Sequence, residues 1–418
     1  MGPIALFDKS FLQSLSVDES VWFEHFFCPT ICPLFYVETL ADLTKLSLPD
    51  GRSPESEVKN LASKAPMASG YPCTHHRELC IANLMGHEVP MNGQVPISGG
   101  KSVRSLEGKR GVVYDESPEA KAFSRWQRGE FKEIESQIAL DWRRMLSTLD
   151  LKGTAQGMRA LGIDAKSCKS VEQAHAWARQ IVHSNSKPFD QMALLFEFVG
   201  AMPEQKRQIF EHCPLISYAP YAAHVMTVEL FFQIALAAHI ISTDRPSNRV
   251  DIAYLFYLPF CMVFVSGDKL HRKCALPFLR RNQEFVWSPD LKADLARLNM
   301  LFEAYPQEEI EKGIMKFAPI PIGNDEDLVC GLWTKHLPGW RIREETQIQL
   351  SDDAQKKVTR DYKHLTGGGS YSVPGGHDGG EIDEMAIQRM VPKRKGNWYL
   401  LPKDLKIETE GGAEQAAD

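Results

Sequence analysis

Two acidic residues bracket a short unit past the middle of the chain, in places where carboxylates frequently do chemistry. Asp251 opens a helix-like segment, and Asp268 follows the apolar run of residues 262–265 after a short polar exit. A continuous apolar run of this kind is typical of a buried parallel strand. Ligands of open α/β sheets bind beyond the carboxyl ends of such strands. The unit therefore predicts that both carboxylates lie at one functional edge of a sheet.

Two further acids stand in comparable places near the N-terminus. Asp8 comes directly after the apolar residues 4–7, which predict a buried strand, and Glu38 lies on a predicted helix. Four carboxylates brought close together repel one another and resist ionising together unless a cation neutralises them. Oxygen ligands favour Mg²⁺ or Mn²⁺, and such sites commonly act on phosphodiesters. The four acids therefore predict a metal-dependent site for phosphodiester chemistry.

These segments resemble the PIN domain, a three-layer αβα nuclease fold. The family's pattern begins with a strand that ends in Asp, followed by a small hydroxyl residue and a helix, which Asp8 and Ser10 match. A helical Glu after an apolar, proline-containing entry comes next, and Glu38 matches it. An Asp that opens a helix and an Asp just past the following strand complete the pattern, matched by Asp251 and Asp268.

The resemblance implies a Mg²⁺- or Mn²⁺-dependent nuclease that hydrolyses phosphodiester bonds. Asp8, Glu38, Asp251 and Asp268 would then be both the catalytic and the metal-binding residues, and Ser10 would orient the first Asp or the metal-bound water. The implied partner is nucleic acid, with RNA ranked above DNA because the family is mostly endoribonucleolytic. The likeness is to large bacterial PIN-like proteins of unassigned role. The alternative is a catalytically inactive PIN-like scaffold or interaction protein.

Basic residues beside the acidic segments are candidates for binding the phosphates of the substrate. Lys269 and Arg272 come shortly after Asp268, and Arg249 precedes Asp251. A cation beside a metal cluster can bind a scissile or neighbouring phosphate. The alternative interpretation is a solvated helix face. The net charge of −6 supplies no general attraction for nucleic acid, so contacts must come from local patches of this kind.

Cysteine usage and hydropathy favour a cytoplasmic protein that does not enter a membrane. The nine cysteines are odd in number and spread through apolar segments, which favours reduced thiols over a disulfide framework. No apolar run reaches the roughly 20 residues that a spanning helix needs. On a helix, Cys73, His76 and Cys80 would share one stripe and offer zinc ligands, although packed helices show the same spacing.

The predicted fold class is α/β: a three-layer αβα PIN-like core with a mainly parallel sheet, interrupted by a large, mostly helical insertion. Residues 1–47 and 225–305 form the core, and residues 48–224 form the insertion. Residues 306–365 are a C-terminal extension, and residues 366–418 are a flexible Gly-rich linker and tail. The role of the insertion and the oligomeric state stay open at this point.

Local patterns predict individual elements within these regions. Residues 284–287 predict a short strand, and Ser288, Pro289 and Asp290 together are typical of a helix N-terminus. Residues 86–113 contain several Gly and Pro residues and predict irregular structure or a β-hairpin. Periodicity near 3.6 residues predicts helices over residues 117–149, 171–184 and 189–213.

Overall fold

A five-stranded parallel sheet forms the centre of this mixed α/β protein in the computed structural model. The structure describes residues 2–45, 51–66, 69–104, 110–184, 213–341, 384–387 and 391–405. The helix predicted over residues 189–213 therefore lies outside the described residues, apart from Cys213. Residues 366–383, with most of the predicted Gly-rich linker, and residues 406–418 lie outside them as well.

The strands fall into three sheets of very different size. In chain order they are β1 Ile4–Phe7, β2 Cys28–Ile31, β3 Tyr71–Pro72, β4 Lys101–Arg104, β5 Arg110–Tyr114, β6 Val263–Ser266, β7 Glu284–Trp287, β8 Glu384–Ile387, β9 Arg394–Lys395 and β10 Trp398–Tyr399. The main sheet has the order β3-β2-β1-β6-β7, and all of its pairs are parallel. A second sheet joins β4, β5 and β8, and a third joins β9 and β10.

Helices make up most of the rest of the described chain. In chain order they are α1 Lys9–Ser14, α2 Val17–Phe26, α3 Pro33–Ala41, α4 Pro54–Lys64, α5 His76–Leu84, α6 Pro118–Gln127, α7 Glu133–Ser147, α8 Leu151–Ala160, α9 Val171–His183, α10 Leu215–Tyr218, α11 Pro220–Ala237, α12 Asn248–Ala253, α13 Lys269–Cys274, α14 Ser288–Glu303, α15 Gln307–Ile310, α16 Ile314–Phe317 and α17 Leu328–His336. Short 3₁₀ helices cover Asp42–Thr44, Tyr254–Phe260 and Leu276–Phe278.

The two central strands are covered on both faces. All four residues of β6 are buried, as are three of the four in β1, although successive side chains of a strand point to opposite faces. Parallel sheets with both faces covered read as continuous apolar runs. Right-handed crossovers also place the β1–β2 and β6–β7 connections on opposite faces, because the two connections move in opposite directions. Helices therefore lie on both sides of the sheet.

The strand order creates a switch point between β1 and β6. From β1 the chain moves to β2 on one side, whereas β6, on the other side of β1, continues outward to β7. The connections that leave the carboxyl ends of these neighbours diverge, which opens a crevice beyond the strand ends. The register pairs Phe7 with Val265, so that the two exits lie side by side.

The segment 48–224 contributes to the main sheet as well as supplying helices. Its strand β3 pairs in parallel with β2 and forms one edge of the sheet. A β-hairpin of β4 and β5 lies within the region where the Gly and Pro residues predict irregular or hairpin structure. The periodic stretch 117–149 is two helices, α6 and α7, because Gly129 adopts a φ of 78° between them.

Part of the region expected to be a flexible tail is packed against the core. Lys395 is 7% exposed, and its Nζ lies 2.9 Å from Oε2 of the buried Glu24 on α2. Trp398 is 1% exposed, packs edge-on against Trp22, and donates its indole N–H to Oδ1 of Asn299 on α14. The prediction of flexibility from residue 366 onward therefore does not extend to residues 391–405.

The longest described helix is largely buried within the protein. Fourteen of the 18 residues of α11 are buried, and the helix contacts α5, α8 and α9. Across the parts of the chain that the structure describes, no helix combines the length and apolarity that crossing a membrane requires.

Candidate active site

Asp8 and Asp268 lie at neighbouring strand exits in the crevice beside the switch point. Asp8 follows β1 directly, and its backbone N–H donates to the carbonyl of Val265 at 3.3 Å. Asp268 comes two residues after the end of β6 and caps α13, with its Oδ1 accepting from the N–H of Leu270. The strand ends thus hold two of the four predicted acids at one edge of the sheet.

Gly267 allows the exit of β6 to pass close to α1. Its N–H donates to Oγ of Ser10 at 3.1 Å, and a Cβ at this position would lie only 3.0 Å from the same oxygen. A larger residue would require the Ser10 hydroxyl to move by a few tenths of an ångström, away from its position between Asp8 and Gly267. The close contact with Ser10 therefore explains why a glycine lies between Ser266 and Asp268.

Glu38 and Asp251 reach the same region from helices. Burial raises the pKa of Asp251 to about 7, and the charges of Glu38, Asp268 and Asp8 add to this rise while His271 opposes it. His271 lies between Asp8 and the backbone carbonyl of Asp251, at 3.3 and 2.6 Å. His271 therefore connects Asp251 to Asp8, and the charges that act on Asp251 include those of Glu38 and Asp268.

Asp8 is the most completely hydrogen-bonded of the four acids. The hydroxyl of Ser10 lies 2.9 and 2.8 Å from its two carboxylate oxygens, and the N–H of Phe11 donates to Oδ1 at 2.9 Å. The hydroxyl of Ser266 donates to Oδ2 at 2.7 Å. Asp8 is 4% exposed, so these donors fix the orientation of its carboxylate inside the protein.

His271 is a buried imidazolium beside Asp8. Its Nε2 lies 2.6 Å from the backbone carbonyl oxygen of Asp251, which can only accept, so Nε2 carries a proton. Its Nδ1 lies 2.8 Å from Oγ of Ser266 and 3.3 Å from Oδ2 of Asp8. Because Ser266 gives its single proton to Asp8, the hydroxyl oxygen accepts from Nδ1. Both ring nitrogens therefore carry protons.

The pairing of Asp8 with His271 shifts both pKa values. Burial alone would lower the pKa of His271, but the hydrogen bond and charge of Asp8 raise it to about 9. Burial alone would raise the pKa of Asp8, but the hydrogen bond and charge of His271 lower it below its ordinary value. Asp8 is therefore ionised, and His271 supplies the neutralising charge from within the protein.

Glu38 is held by groups from two other elements. The hydroxyl of Tyr254, in the 3₁₀ helix before β6, donates to its Oε2. Burial raises the pKa of Glu38, against the effects of Lys9 and Tyr254. The Nζ of Lys9 donates to the Glu38 carbonyl at 3.1 Å and to Oδ1 of Asp42 at 2.9 Å. One carboxylate oxygen of Glu38, Oε2, therefore already accepts a hydrogen bond from Tyr254.

The three predicted phosphate-binding residues differ in their surroundings. Lys269 is exposed at the start of α13, and Arg272 is exposed on the same helix with its guanidinium 4.9 Å from the ring of Trp287. Arg249 is instead paired with Glu229 on α11 and lies over the rings of Phe232 and Phe256. Lys269 and Arg272 therefore face solvent beside Asp268, whereas Arg249 packs between helices.

No ready-made metal cage is found among the described residues. Within them, no group of three or more His, Cys, Asp or Glu side chains has the spacing that would hold a metal ion. For the stripe considered as zinc ligands, α5 begins at His76, so Cys73 precedes the helix. Burial lowers the pKa of His76 to about 2, and the hydroxyl of Tyr257 lies 3.2 Å from its Nδ1.

Sequence reasoning missed the contributions of Tyr254 and His271. His271 stands among Lys269, Arg272 and Lys273, a pattern typical of a solvated helix face, yet it is 1% exposed. Its position three residues after Asp268 turns it inward from α13 toward β1. The apolar neighbours of Tyr254 indicate burial, but its hydroxyl partner is 216 positions away in the chain.

No protein-family model, no curated protein and no solved structure matches this chain.

Proposed function

We propose that this protein is a Mg²⁺- or Mn²⁺-dependent nuclease with a PIN-like core, and that its substrate is RNA. The observation that carries the proposal is that Asp8 and Asp268 follow neighbouring strands at the switch point of a parallel sheet, where the charges of both, and of Glu38, act on Asp251. Ligands of open α/β sheets bind in this crevice. The order of the four acids along the chain, which resembles that of PIN domains, supports the same proposal.

The donor chemistry of the four acids fits a hard divalent cation. All of their side-chain donors are carboxylate oxygens, and burial and mutual repulsion raise the pKa values of Glu38 and Asp251. A cation held by these residues would relieve that repulsion. When bound, it would lower the pKa of a coordinated water and neutralise charge on the leaving oxygen. Since the described side chains lack ligating spacing, binding requires their rearrangement.

The residues around the acids would prepare the site for a phosphodiester. Ser10 and Ser266 hold the carboxylate of Asp8 in one orientation, and Tyr254 does the same for Glu38. Lys269 and Arg272 would bind a phosphate next to the scissile bond, because both are exposed on α13 immediately after Asp268. RNA ranks above DNA through the resemblance to a mostly endoribonucleolytic family.

One observation favours the alternative of an inactive PIN-like scaffold. Asp8 already accepts hydrogen bonds from several donors, and the imidazolium of His271 already balances its charge. A site whose charge is balanced internally has less need of a metal ion. The scaffold would keep the acids as hydrogen-bonding centres that join the strand exits to the helices.

Cleavage of single-stranded RNA with and without EDTA tests the proposal. We expect Mn²⁺-dependent cleavage that Asp268→Asn lowers by at least roughly 100-fold, since ligands and their supports commonly have effects of this order. The amide can still cap α13. Asp244→Asn is the matched control, because the Asp244 side chain is 74% exposed in an ion pair with Lys152. Absence of EDTA-sensitive cleavage in the wild type would favour the scaffold.

Thermal unfolding gives a second readout that does not require catalysis. A cation that binds the folded protein raises Tm. Mn²⁺ should therefore raise the Tm of the wild type and of Asp244→Asn, and should raise that of Asp268→Asn much less. Equal shifts in all three proteins would place the cation elsewhere.

A further inference from the structure

A pocket of about 670 Å³ lies beyond the carboxyl ends of β2 and β3. Its volume falls within the roughly 300–1,000 Å³ that small-molecule sites occupy. The walls come from the start of α3, the residues after β3, the residues after β5 and the first turn of α6. The described part of the segment 48–224 therefore supplies most of the lining, and the core sheet supplies the rest.

The pocket adjoins the four acids through the start of α3. Cys32 and Val37 line it, and Glu38 is the next residue along the helix. The pocket lies beyond the carboxyl end of β2, and β2 is the neighbour of β1, which Asp8 follows directly. A ligand that extends from this pocket along the same edge of the sheet would approach the acids.

Aromatic rings form one part of the lining. Tyr36, Tyr114 and Phe123 all line the pocket, and Tyr36 and Tyr114 are partly exposed. Tyr36 is held from behind by Trp126, with ring centroids 5.3 Å apart and an interplanar angle of 13°. A fixed aromatic surface next to open space is suited to a flat ring, because nucleobases stack on such side chains.

Carboxylates form the other part of the lining. Glu78, Glu116 and Glu119 line the pocket with Asp115, which pairs with Lys101 at 2.6 Å. Of the described residues in this lining, none is Lys or Arg. The first turn of α6 offers no anion site either, because Ser117 accepts from the N–H of Ala120 and Glu119 adds negative charge. The lining therefore disfavours a phosphate inside the pocket.

We propose that this pocket binds an unpaired nucleobase that carries an amino group, while the adjoining phosphodiester lies at the four acids. The aromatic rings supply stacking, and carboxylates accept hydrogen bonds from the amino groups of cytosine, adenine or guanine. Uracil has no amino group, and its two carbonyl oxygens would face carboxylates. The inference deepens and rests on the proposed nuclease function, since it assigns single-stranded RNA with an amino-bearing base at this position.

Binding of free nucleosides tests the pocket without requiring cleavage. Guanosine, adenosine, cytidine and uridine are titrated into the full chain in EDTA, with binding followed by saturation-transfer NMR or calorimetry. We expect the three amino-bearing nucleosides to bind and uridine to bind at least about fivefold more weakly. Equal binding of uridine, or no binding of any nucleoside, would overturn the inference.

Two variants locate the binding, and a third serves as the control. Tyr114→Leu removes a stacking surface and should weaken binding by roughly 5- to 100-fold. Ala120→Trp fills the pocket from the first turn of α6 and should abolish binding. Tyr305→Leu changes a tyrosine that is 36% exposed outside the pocket and should leave binding unchanged. Circular dichroism of each variant confirms that it is folded.

Cleavage measured in parallel separates the two proposals. If nucleosides bind as expected while no variant or wild type cleaves RNA, nucleobase binding by the pocket stands, and the nuclease proposal fails together with the placement of the phosphodiester at the four acids. If wild type and Ala120→Trp cleave RNA equally and nucleosides do not bind, the nuclease proposal stands and the pocket inference fails. Binding of N-acetyl-arginine amide in place of nucleosides would assign the pocket to a cationic peptide side chain and would also overturn the inference.

Discussion

The imidazolium of His271 is the charge that keeps Asp8 ionised beneath the edge of the sheet. It also holds the backbone of Asp251 through Nε2, so one side chain links the exits of β1 and β6 to the end of α12. The removal of one partner from a buried pair leaves the other charge uncompensated. His271 is therefore important for stability even though it has no assigned catalytic role.

The raised pKa of His271 predicts a loss of stability at alkaline pH. Its pKa is about 9 in the folded protein, against an ordinary value of 6.5 for a histidine side chain. The stabilisation is complete below pH 6.5 and is lost as pH rises through 9. By linkage, the free energy of unfolding should fall on the order of 3 kcal/mol across this window. Urea unfolding at several pH values measures the free energy of unfolding, and His271→Gln should not show its fall between pH 6.5 and 9. The same fall in His271→Gln would show that another group causes it.

The raised pKa of Asp251 predicts a stabilising substitution. Its pKa is about 7 in the folded protein against an ordinary value of 3.8 for an aspartate, so the stabilising, protonated form is lost as pH rises through 7. At pH 8, Asp251→Asn removes the unfavourable charge and should raise the free energy of unfolding by up to about 4 kcal/mol. Near pH 4 the change should be small. Thermal unfolding at both pH values, with Asp244→Asn as control, checks this expectation.

A decrease in the stability of Asp251→Asn at pH 8 would show that the carboxylate is better compensated than its surroundings indicate. Loss of RNA cleavage in the same variant would instead agree with the proposed function. A residue that costs stability while it supports activity is the pattern expected of an active site.

At the level of residues, the sequence located the acids better than their partners. Asp8 and Asp268 follow apolar strands directly, so a local pattern marks them. Nothing local marks the pairing of Glu38 with Tyr254 or of Asp8 with His271, since these contacts depend on the order of strands in the sheet. Arg249 was predicted to bind phosphate from its position beside Asp251, but it is paired with Glu229 on a different helix, which no local pattern indicates.

At the level of elements, short apolar runs with sharp polar ends were predicted well. The strands at residues 4–7 and 284–287 coincide with β1 and β7, and α14 begins at Ser288 with Pro289 in its first turn, as the helix-start pattern indicates. The two-residue strand β3 has too few residues for a period-two pattern. The packed segment 391–405 has no local signal either, because its stability comes from contacts with α2 and α14.

The packing of this C-terminal segment predicts a large effect from one of its lysines. Lys395→Met leaves Glu24 buried without its cation and should lower the free energy of unfolding by about 3–5 kcal/mol. Lys403→Met is the matched control, because the Lys403 side chain is 55% exposed and solvent screens its pair with Glu311, which should therefore contribute little. Chemical denaturation of both variants measures the difference. Similar effects would mean that the Glu24 pair adds little.

At the scale of the whole molecule, the net charge limits how RNA can be bound. With a charge of −6, the protein attracts a polyanion only through local groups, of which Lys269 and Arg272 are the candidates beside the site. Release of counterions from two phosphate contacts on a single strand gives a slope of about −1.4 in log K against log salt. In the double variant Lys269→Gln and Arg272→Gln, the slope of log K against log salt should be shallower by about this amount.

Fluorescence anisotropy with a labelled single-stranded RNA in EDTA, over a range of salt concentrations, measures these slopes. The pair Lys312→Gln and Lys316→Gln is the control, because both lysines are exposed outside the site. A slope that is unchanged in the first double variant, or changed equally in both, would place the phosphate contacts elsewhere.

The central position of β1 also has a consequence for how the protein is made. The strand next to it on one side, β2, is synthesised almost at once, but the strand on the other side, β6, begins at Val263. A growing chain therefore carries Asp8 and Glu38 for more than 200 residues before Asp251 and then Asp268 are added. The proposed nuclease would stay inactive on the ribosome until this later segment has emerged, so it would not cleave its own messenger RNA during that time.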